Sequence, residues 1–271
     1  MRRLTWSFVV AALLASCVGT HATTPAVSGV GGTTPVIVEL FTSEGCSDCP
    51  PADTLLDTLI ATQPIAGAEI VALGEHVDYW DRLGWKDRFS SAALTARQQA
   101  YQTRFNTDSI YTPQMIVDGR AQFVGSDAAA ARNAIARTLA GAHGVVAVAV
   151  DDRGGQSSAP HVSLSVTVND LPHVARGDRA EILIAVTERG LLTDVKGGEN
   201  HGKVLKHAPV VRYLATIGAI AADATSGSAH GDITLDRGWQ RERLGVVAFV
   251  QEQRGRTILG AASMPLKNAR P

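Results

Sequence analysis

Cysteine, net charge and long apolar runs are all scarce in this sequence, and each shortage removes a class of protein. Three cysteines in 271 residues are too few for a disulfide-stapled miniprotein, and a chain that is 45% hydrophobic can bury a core without staples. The 25 Lys+Arg residues nearly cancel the 26 Asp+Glu residues, and no stretch is Lys/Arg-rich. The electrostatic grip needed for nucleic acid or for an acidic membrane surface is therefore missing. Past the N-terminus, no run approaches the roughly 18 apolar residues that a membrane-spanning helix requires. What remains is a chain long enough for one large domain or two ordinary ones.

The N-terminus accounts for one cysteine. Met1-Arg2-Arg3 followed by the apolar stretch 4–16 has the charged start and short greasy middle of a secretory signal. Losing Arg2 and Arg3 leaves the mature chain mildly acidic. Two cleavage sites compete. Leu14-Ala15-Ser16-Cys17 resembles a bacterial lipobox, with Cys17 as the lipidation candidate, and Thr20-His21-Ala22 suits an ordinary signal peptidase. The sequence thus predicts a periplasmic or secreted protein, a lipid anchor on Cys17 being its only link to a membrane. Either cleavage removes Cys17 as a free thiol and leaves one pair, Cys46 and Cys49.

The predicted organisation is a signal over 1–22, a Thr/Gly/Pro-rich leader over 23–35, an α/β domain over 36–143 and a β-rich domain over 144–271. Apolar runs predict strands at 36–41, 69–77, 114–117 and 121–124, and Asp118-Gly119 supplies the turn between the last two. Leu55, Leu56, Leu59 and Ile60 share one face of a helix over 51–61, whose prolines suit its first turn. Further helices fall at 90–105 and, capped by Ser126-Asp127, up to about 140. The order is βαβαββα. From Gly144 onward, short alternating runs separated by Gly, Asp, Asn and Pro predict an all-β, sandwich-like domain. Only 197–217 is ambiguous between strand and loop.

Gly45-Cys46-Ser47-Asp48-Cys49-Pro50-Pro51 places two thiols across two residues at a strand-to-helix junction. The spacing allows a small disulfide ring, and a helix N-terminus stabilises a thiolate. Cys46 is expected to be the exposed nucleophile and Cys49 the resolving thiol, while Asp48 opposes a nearby thiolate. A lone CxxC is otherwise half a zinc site or coincidence, and no second CxxC completes such a site here.

Tyr111-Thr112-Pro113-Gln114 precedes the third strand of the βαβαββα unit. Together with the CxxC after the first strand, this resembles the thioredoxin superfamily. The resemblance implies a cis Pro113 beside the disulfide and a Thr112 that offers backbone groups to substrate. It also implies a buried acid near the position of Glu39, able to carry the resolving cysteine's proton. This chain departs from the pattern by one extra residue between acid and cysteine, and by Gly45 in place of Trp. Glu39 is alternatively an exposed strand residue. The runs Val38 to Asp53, His76-Val77-Asp78-Tyr79-Trp80-Asp81, Gly84-Trp85-Lys86-Asp87 and Tyr111 to Met115 are similar to an exported bacterial family catalogued as domain of unknown function 1223. The family is a thioredoxin-like domain followed by a β-rich one.

His76 to Asp81 leaves the carboxyl end of the second strand, the edge at which α/β sheets gather functional groups. His76 is a candidate proton donor, charge partner of Cys46 or metal ligand. Tyr79, Trp80 and Trp85 are candidates to line a substrate groove, or else aromatic plugs of the core. Gly197 to Lys203 fits the start of a phosphate-binding loop but fails at Val204, where a hydroxyl belongs. It is read as an ordered turn that contacts the first domain.

Three functions follow, and whether the protein is an enzyme stays open between them. The first is a thiol:disulfide oxidoreductase acting through Cys46 and Cys49 on a protein or small-molecule disulfide, with a redox partner protein and no cofactor. The second is a copper or zinc protein using Cys46, Cys49 and His76. The third is a binding scaffold with a structural disulfide. The remaining histidines, His143, His161, His173, His207 and His230, show no ligand spacing.

Overall fold

The computed structural model describes residues 26–27, 32–151 and 161–266. The predicted signal, Cys17 and most of the leader lie outside them. The elements in chain order are β1 (Ala26–Val27), β2 (Thr34–Thr42), α1 (Pro50–Thr62), β3 (Ala68–His76), α2 (Ala92–Phe105), β4 (Gln114–Val117), β5 (Ala121–Val124) and α3 (Ala128–Thr138). There follow β6 (Val145–Asp151), β7 (His161–Asn169), β8 (Ala180–Glu188), β9 (Leu192–Asp194), β10 (Val204–Lys206), β11 (Val210–Ile220), β12 (Gly227–Thr234), β13 (Leu244–Glu252) and β14 (Ile258–Pro265). The protein is mixed α/β, built on one large sheet with further strands beside it.

Eight strands form that sheet in the order β14-β13-β8-β11-β3-β2-β4-β5, and β1, β6, β7 and β12 form a second sheet. β2 pairs parallel with β3 and antiparallel with β4. Alternation along β2 distributes its side chains between two covered faces. Val36, Val38 and Leu40 pack with Ala52, Leu56 and Leu59 of α1 and with Ala131, Ala134 and Ile135 of α3. Ile37 joins Leu94 of α2 on the opposite face. Each fully buried Leu or Ile contributes about 1.5–3 kcal/mol of apolar transfer energy. The second sheet lies over β8 and β13, where Val148, Leu164 and Val166 meet Ile182, Ile184 and Val246.

Local signals set the element ends. Asp127 caps α3 by accepting from the backbone N–H groups of Ala129 and Ala130 at 3.0 and 2.9 Å. The predicted Asp118-Gly119 turn joins β4 to β5 with both residues at positive φ, 45° and 63°. Gly is obligatory at the second position, because a Cβ there would lie 1.8 Å from the carbonyl oxygen of Arg256.

The predicted boundary at 143/144 precedes β6, but hydrogen bonding crosses it. β8, β11, β13 and β14 continue the sheet that β2 to β5 begin. The junction is β11, which runs antiparallel to β8 and meets β3 in a single parallel pair, Val210 with Gly74. Gly74 N–H donates to Pro209 O at 2.8 Å, and a Cβ on Gly74 would crowd that same oxygen at 2.8 Å. Most of β11 falls in the stretch that the sequence left ambiguous. Register shifts at Val211/Tyr213 and Thr216/Gly218 break its side-chain alternation, which is the signal by which strands are read.

Candidate functional site

β2 ends at Thr42, and residues 43–49 turn the chain into α1, whose first residues are Pro50 and Pro51. Cys46 and Cys49 are joined in a disulfide across this turn, with Cα atoms 5.4 Å apart. The expectation of an exposed Cys46 is corrected here: Cys46 and Cys49 are each only 1% exposed. Ser47 and Asp48 between them face solvent.

The cover comes from the second half of the chain. β9 and β10 form an antiparallel ribbon, and its connecting loop lies on the cysteine turn. Asn200, fully buried, donates through Nδ2 to the carbonyl oxygens of Glu44 and Cys46, both at 2.9 Å. Ser47 N–H donates to Glu199 Oε2 at 3.0 Å. Hydrogen bonds from the side chain and backbone of Ser47 hold Glu199 below the usual carboxylate range. The Gly pair in this loop serves close packing: a Cβ on Gly197 would sit 2.5 Å from Gly84 O, and one on Gly198 would sit 3.0 Å from Trp85 Cβ. The phosphate-loop look of Gly197 to Lys203 therefore reflects a cap fitted against Gly84 and Trp85.

The predicted substrate edge is partly core. Thr112–Pro113 is a cis peptide, and Pro113 is buried, with its Cβ near the space over Gly125 that Ala52 of α1 also borders. Trp80 packs its Cβ over Gly45 and donates from Nε1 to Thr112 Oγ1 at 2.8 Å, tying the cysteine turn to the Pro113 loop. The Cβ and backbone of Trp80, from another loop, thus cover Gly45. Tyr79 and Trp80 pack against the cluster of Phe41, Val77, Tyr101 and Ile116 instead of lining an open groove. Burial raises the Tyr79 phenol above its ordinary value. Trp85 donates from Nε1 to Glu44 Oε2 at 2.7 Å.

Glu39 is buried as expected, but it serves another face. It projects to the α2 side of β2, where it accepts from Arg97 Nε at 2.6 Å and from the Tyr101 hydroxyl. Arg97 also reaches Glu75 Oε1 at 3.3 Å and Gln251 Oε1 at 3.0 Å. Burial and the Glu39 charge push both Glu75 and Tyr101 well above their ordinary values, against the pull of Arg97. Glu39 is a structural ion-pair partner on the side of the sheet away from α1. It takes that face because even-numbered residues of β2 face the cysteine helix and odd-numbered ones face α2.

The acid on the cysteine side is Asp53, one helical turn past Cys49. It accepts from Thr42 Oγ1 at 2.8 Å and more distantly from Ala208 N at 3.4 Å. Burial raises it above the usual carboxylate range, against His76, Thr42 and His207. His76, 1% exposed, places Nδ1 2.6 Å from Asp87 Oδ2. Burial disfavours its charge, but Asp87, Asp53 and Glu44 outweigh that and raise the imidazole above its ordinary value. Asp87 is held below its ordinary value: burial opposes its ionisation, and His76 with the N–H groups of Glu44 and Phe89 prevails. His207 Nε2 lies 3.0 Å from Thr193 Oγ1 and 3.3 Å from Glu44 Oε1, and its ring centroid is 5.2 Å from that of His76. His207, Asn200, Asp53, Glu44 and Asp87 were not singled out as site residues from sequence. They come from three separated segments and share no spacing rule. With both sulfurs in the disulfide, neither cysteine is a thiolate ligand in this form, and His76 meets oxygen and imidazole groups instead.

Fold and site together define a mixed α/β protein that presents a CxxC disulfide at a strand–helix junction, under a cap supplied by its own C-terminal half. The chain belongs to the family described as protein of unknown function (DUF1223), whose profile matches residues 37–251. A crystal structure of an Agrobacterium tumefaciens protein, determined by a structural genomics consortium, shares the fold with a TM-score of 0.63. It is 24% identical, and the match covers 88% of this chain and 97% of that one. No curated protein matches the chain.

Proposed function

We propose that the protein is an exported thiol:disulfide oxidoreductase, a thioredoxin-like unit followed by a sandwich-like β unit. The observation that carries this reading is the Cys46–Cys49 disulfide between β2 and α1, on a turn that Trp80 ties to the Thr112–Pro113 loop. In the reduced form, the Cys46 thiolate attacks a substrate disulfide, forms a mixed disulfide and expels one substrate thiolate. Cys49 then attacks the Cys46 sulfur, restores the internal disulfide and releases the second substrate thiolate. Two electrons pass from the protein to its substrate, and a partner thiol must return them. Both cysteines are buried and the loop bearing Asn200 is bonded to their turn, so on this reading substrate reaches Cys46 when that loop lifts.

Trapping tests this. Cys49→Ser is expected to accumulate mixed disulfides that Cys46→Ser does not, and equal behaviour of the two variants rejects the assignment. The burial of both cysteines favours a second reading, a structural staple. A staple has a reduction potential below about −300 mV and shows no turnover of protein disulfides.

A further inference from the structure

We propose that Asp53, His76 and His207 form a buried zinc-binding site, with Glu44 available as a fourth donor. One ligand atom from each of the first three lies within 4.8 Å of the others, and all three residues are buried. The same side chains and Glu44 line a cavity of about 10 Å³, room for the centre of one water-sized guest.

The second observation is an orphan. His76 Nε2 is buried without a hydrogen-bond partner, as is Glu44 Oε1. The ionised Asp87 cannot donate, so its bond at 2.6 Å draws the imidazole proton to Nδ1. Nε2 is then the unpartnered nitrogen, on a ring that lines the cavity. Metal-binding histidines are held in this way, with the far nitrogen bonded to a carboxylate that fixes the tautomer and the ring. Asp87 is in turn clamped by Glu44 N–H at 2.9 Å and Phe89 N–H at 2.8 Å. The ring that it positions is rigid before any ion arrives.

Charge points the same way. Three buried carboxylates, Glu44, Asp53 and Asp87, surround two imidazoles, and the ion pairs of Glu44 and Asp87 run to those imidazoles. Buried carboxylates require compensation by pairing or by a metal. A divalent cation supplies it. Two imidazoles and a carboxylate are a nitrogen and oxygen set that suits zinc. Zinc bonds of about 2.0–2.2 Å place tetrahedral donors about 3.4 Å apart, so no pair, all within 4.8 Å, need close by more than about 1.4 Å. Asp53 and Lys206 also line a second, outer groove of about 200 Å³ between α1 and β10, where exposed Lys206 pairs with Asp57.

This site is independent of the redox reading, and the test keeps the two apart. The full chain, with its disulfide left oxidised, is stripped with a chelator and titrated with Zn²⁺ by calorimetry and with Co²⁺ by visible absorption. The expected result is one ion per chain, with the visible bands of tetrahedral cobalt and no thiolate charge-transfer band. Asp53→Asn and His207→Gln should each weaken binding at least tenfold, and Asp87→Asn by about 10–100-fold through loss of the positioned tautomer. Circular dichroism confirms that each variant is folded, and a variant that fails this check is replaced by the next of the three. The Cys46→Ser/Cys49→Ser double variant should bind as the parent does. The proposal is overturned by absence of saturable binding up to about 1 mM, the threshold of millimolar affinity. It is equally overturned by binding that survives these substitutions in folded protein, or by binding that disappears with the cysteines.

Discussion

Replacing Asn200 with Ala should uncover the disulfide without disturbing the fold around it. The Asn200 side chain makes two buried hydrogen bonds to the cysteine turn, to Glu44 O and Cys46 O. Both carbonyl groups regain water when the loop lifts, so the variant loses these bonds only in the closed state. At about 0.5–1.5 kcal/mol net for each bond, closure weakens by about 1–3 kcal/mol. That corresponds to an open population about 5–150 times larger. The assay is the rate of disulfide reduction by excess dithiothreitol under native conditions, quenched by alkylation and read by mass. When the loop recloses faster than the reductant attacks, the rate follows the open population. Asn200→Ala should therefore be reduced about 5–150 times faster than the parent. Glu199→Ala, whose bond to Ser47 N–H is exposed, should be accelerated less. A folded Asn200→Ala protein reduced within twofold of the parent rate refutes the cap, and with it the requirement that the loop open for turnover.

Three further outcomes follow, two from the other face of the sheet and one from the β4–β5 turn. Arg97→Met strands the Glu39 and Glu75 carboxylates without their guanidinium, which should cost about 3–5 kcal/mol and lower the melting temperature by about 6–20 °C in calorimetry. Glu39→Gln should leave the pH profile of Cys46 alkylation in the reduced protein unchanged, and a displaced profile would reinstate Glu39 as a proton carrier. Asp118 is raised above its ordinary 3.8 by burial, although His143 and Ile37 N–H pull it down. Above pH 3.8 the unfolded chain ionises first, so the contribution of Asp118 to stability falls as pH rises and levels off above its folded value. Asp118→Asn keeps an acceptor for Ile37 N–H, now 2.7 Å from Oδ1, and resembles the protonated acid. Its stability advantage over the parent in urea unfolding should grow with pH from about 4 and then plateau. A constant difference across that range contradicts the sign.

Elements with a local cause were legible in the sequence. The prolines that open α1, the cap at Asp127 and the Asp118-Gly119 turn act over a few residues, so their positions follow from residue type alone. Continuous burial of β2 was likewise visible as a mostly apolar run, but that run hid which face Glu39 takes. Burial on both faces removes the polar alternation that would have shown it. β11 was obscured for the opposite reason, since its bulges scramble a periodicity that exists only relative to β8.

The cysteine pair and its place between strand and helix were determined by the sequence, because four neighbouring residues suffice to close that ring. The state of the pair was decided by tertiary structure. Asn200 and Glu199 lie 150 or more residues from the cysteines whose turn they bond, and only the insertion of β11 beside β3 brings the β9–β10 loop onto that turn. The same insertion delivers His207 to His76 and Asp53. No spacing rule relates residues whose proximity depends on a single parallel pairing at Gly74. Local chemistry thus specified a redox-capable motif, and the long-range sheet decided that it is shielded and that a buried cluster of imidazoles and carboxylates lies beside it.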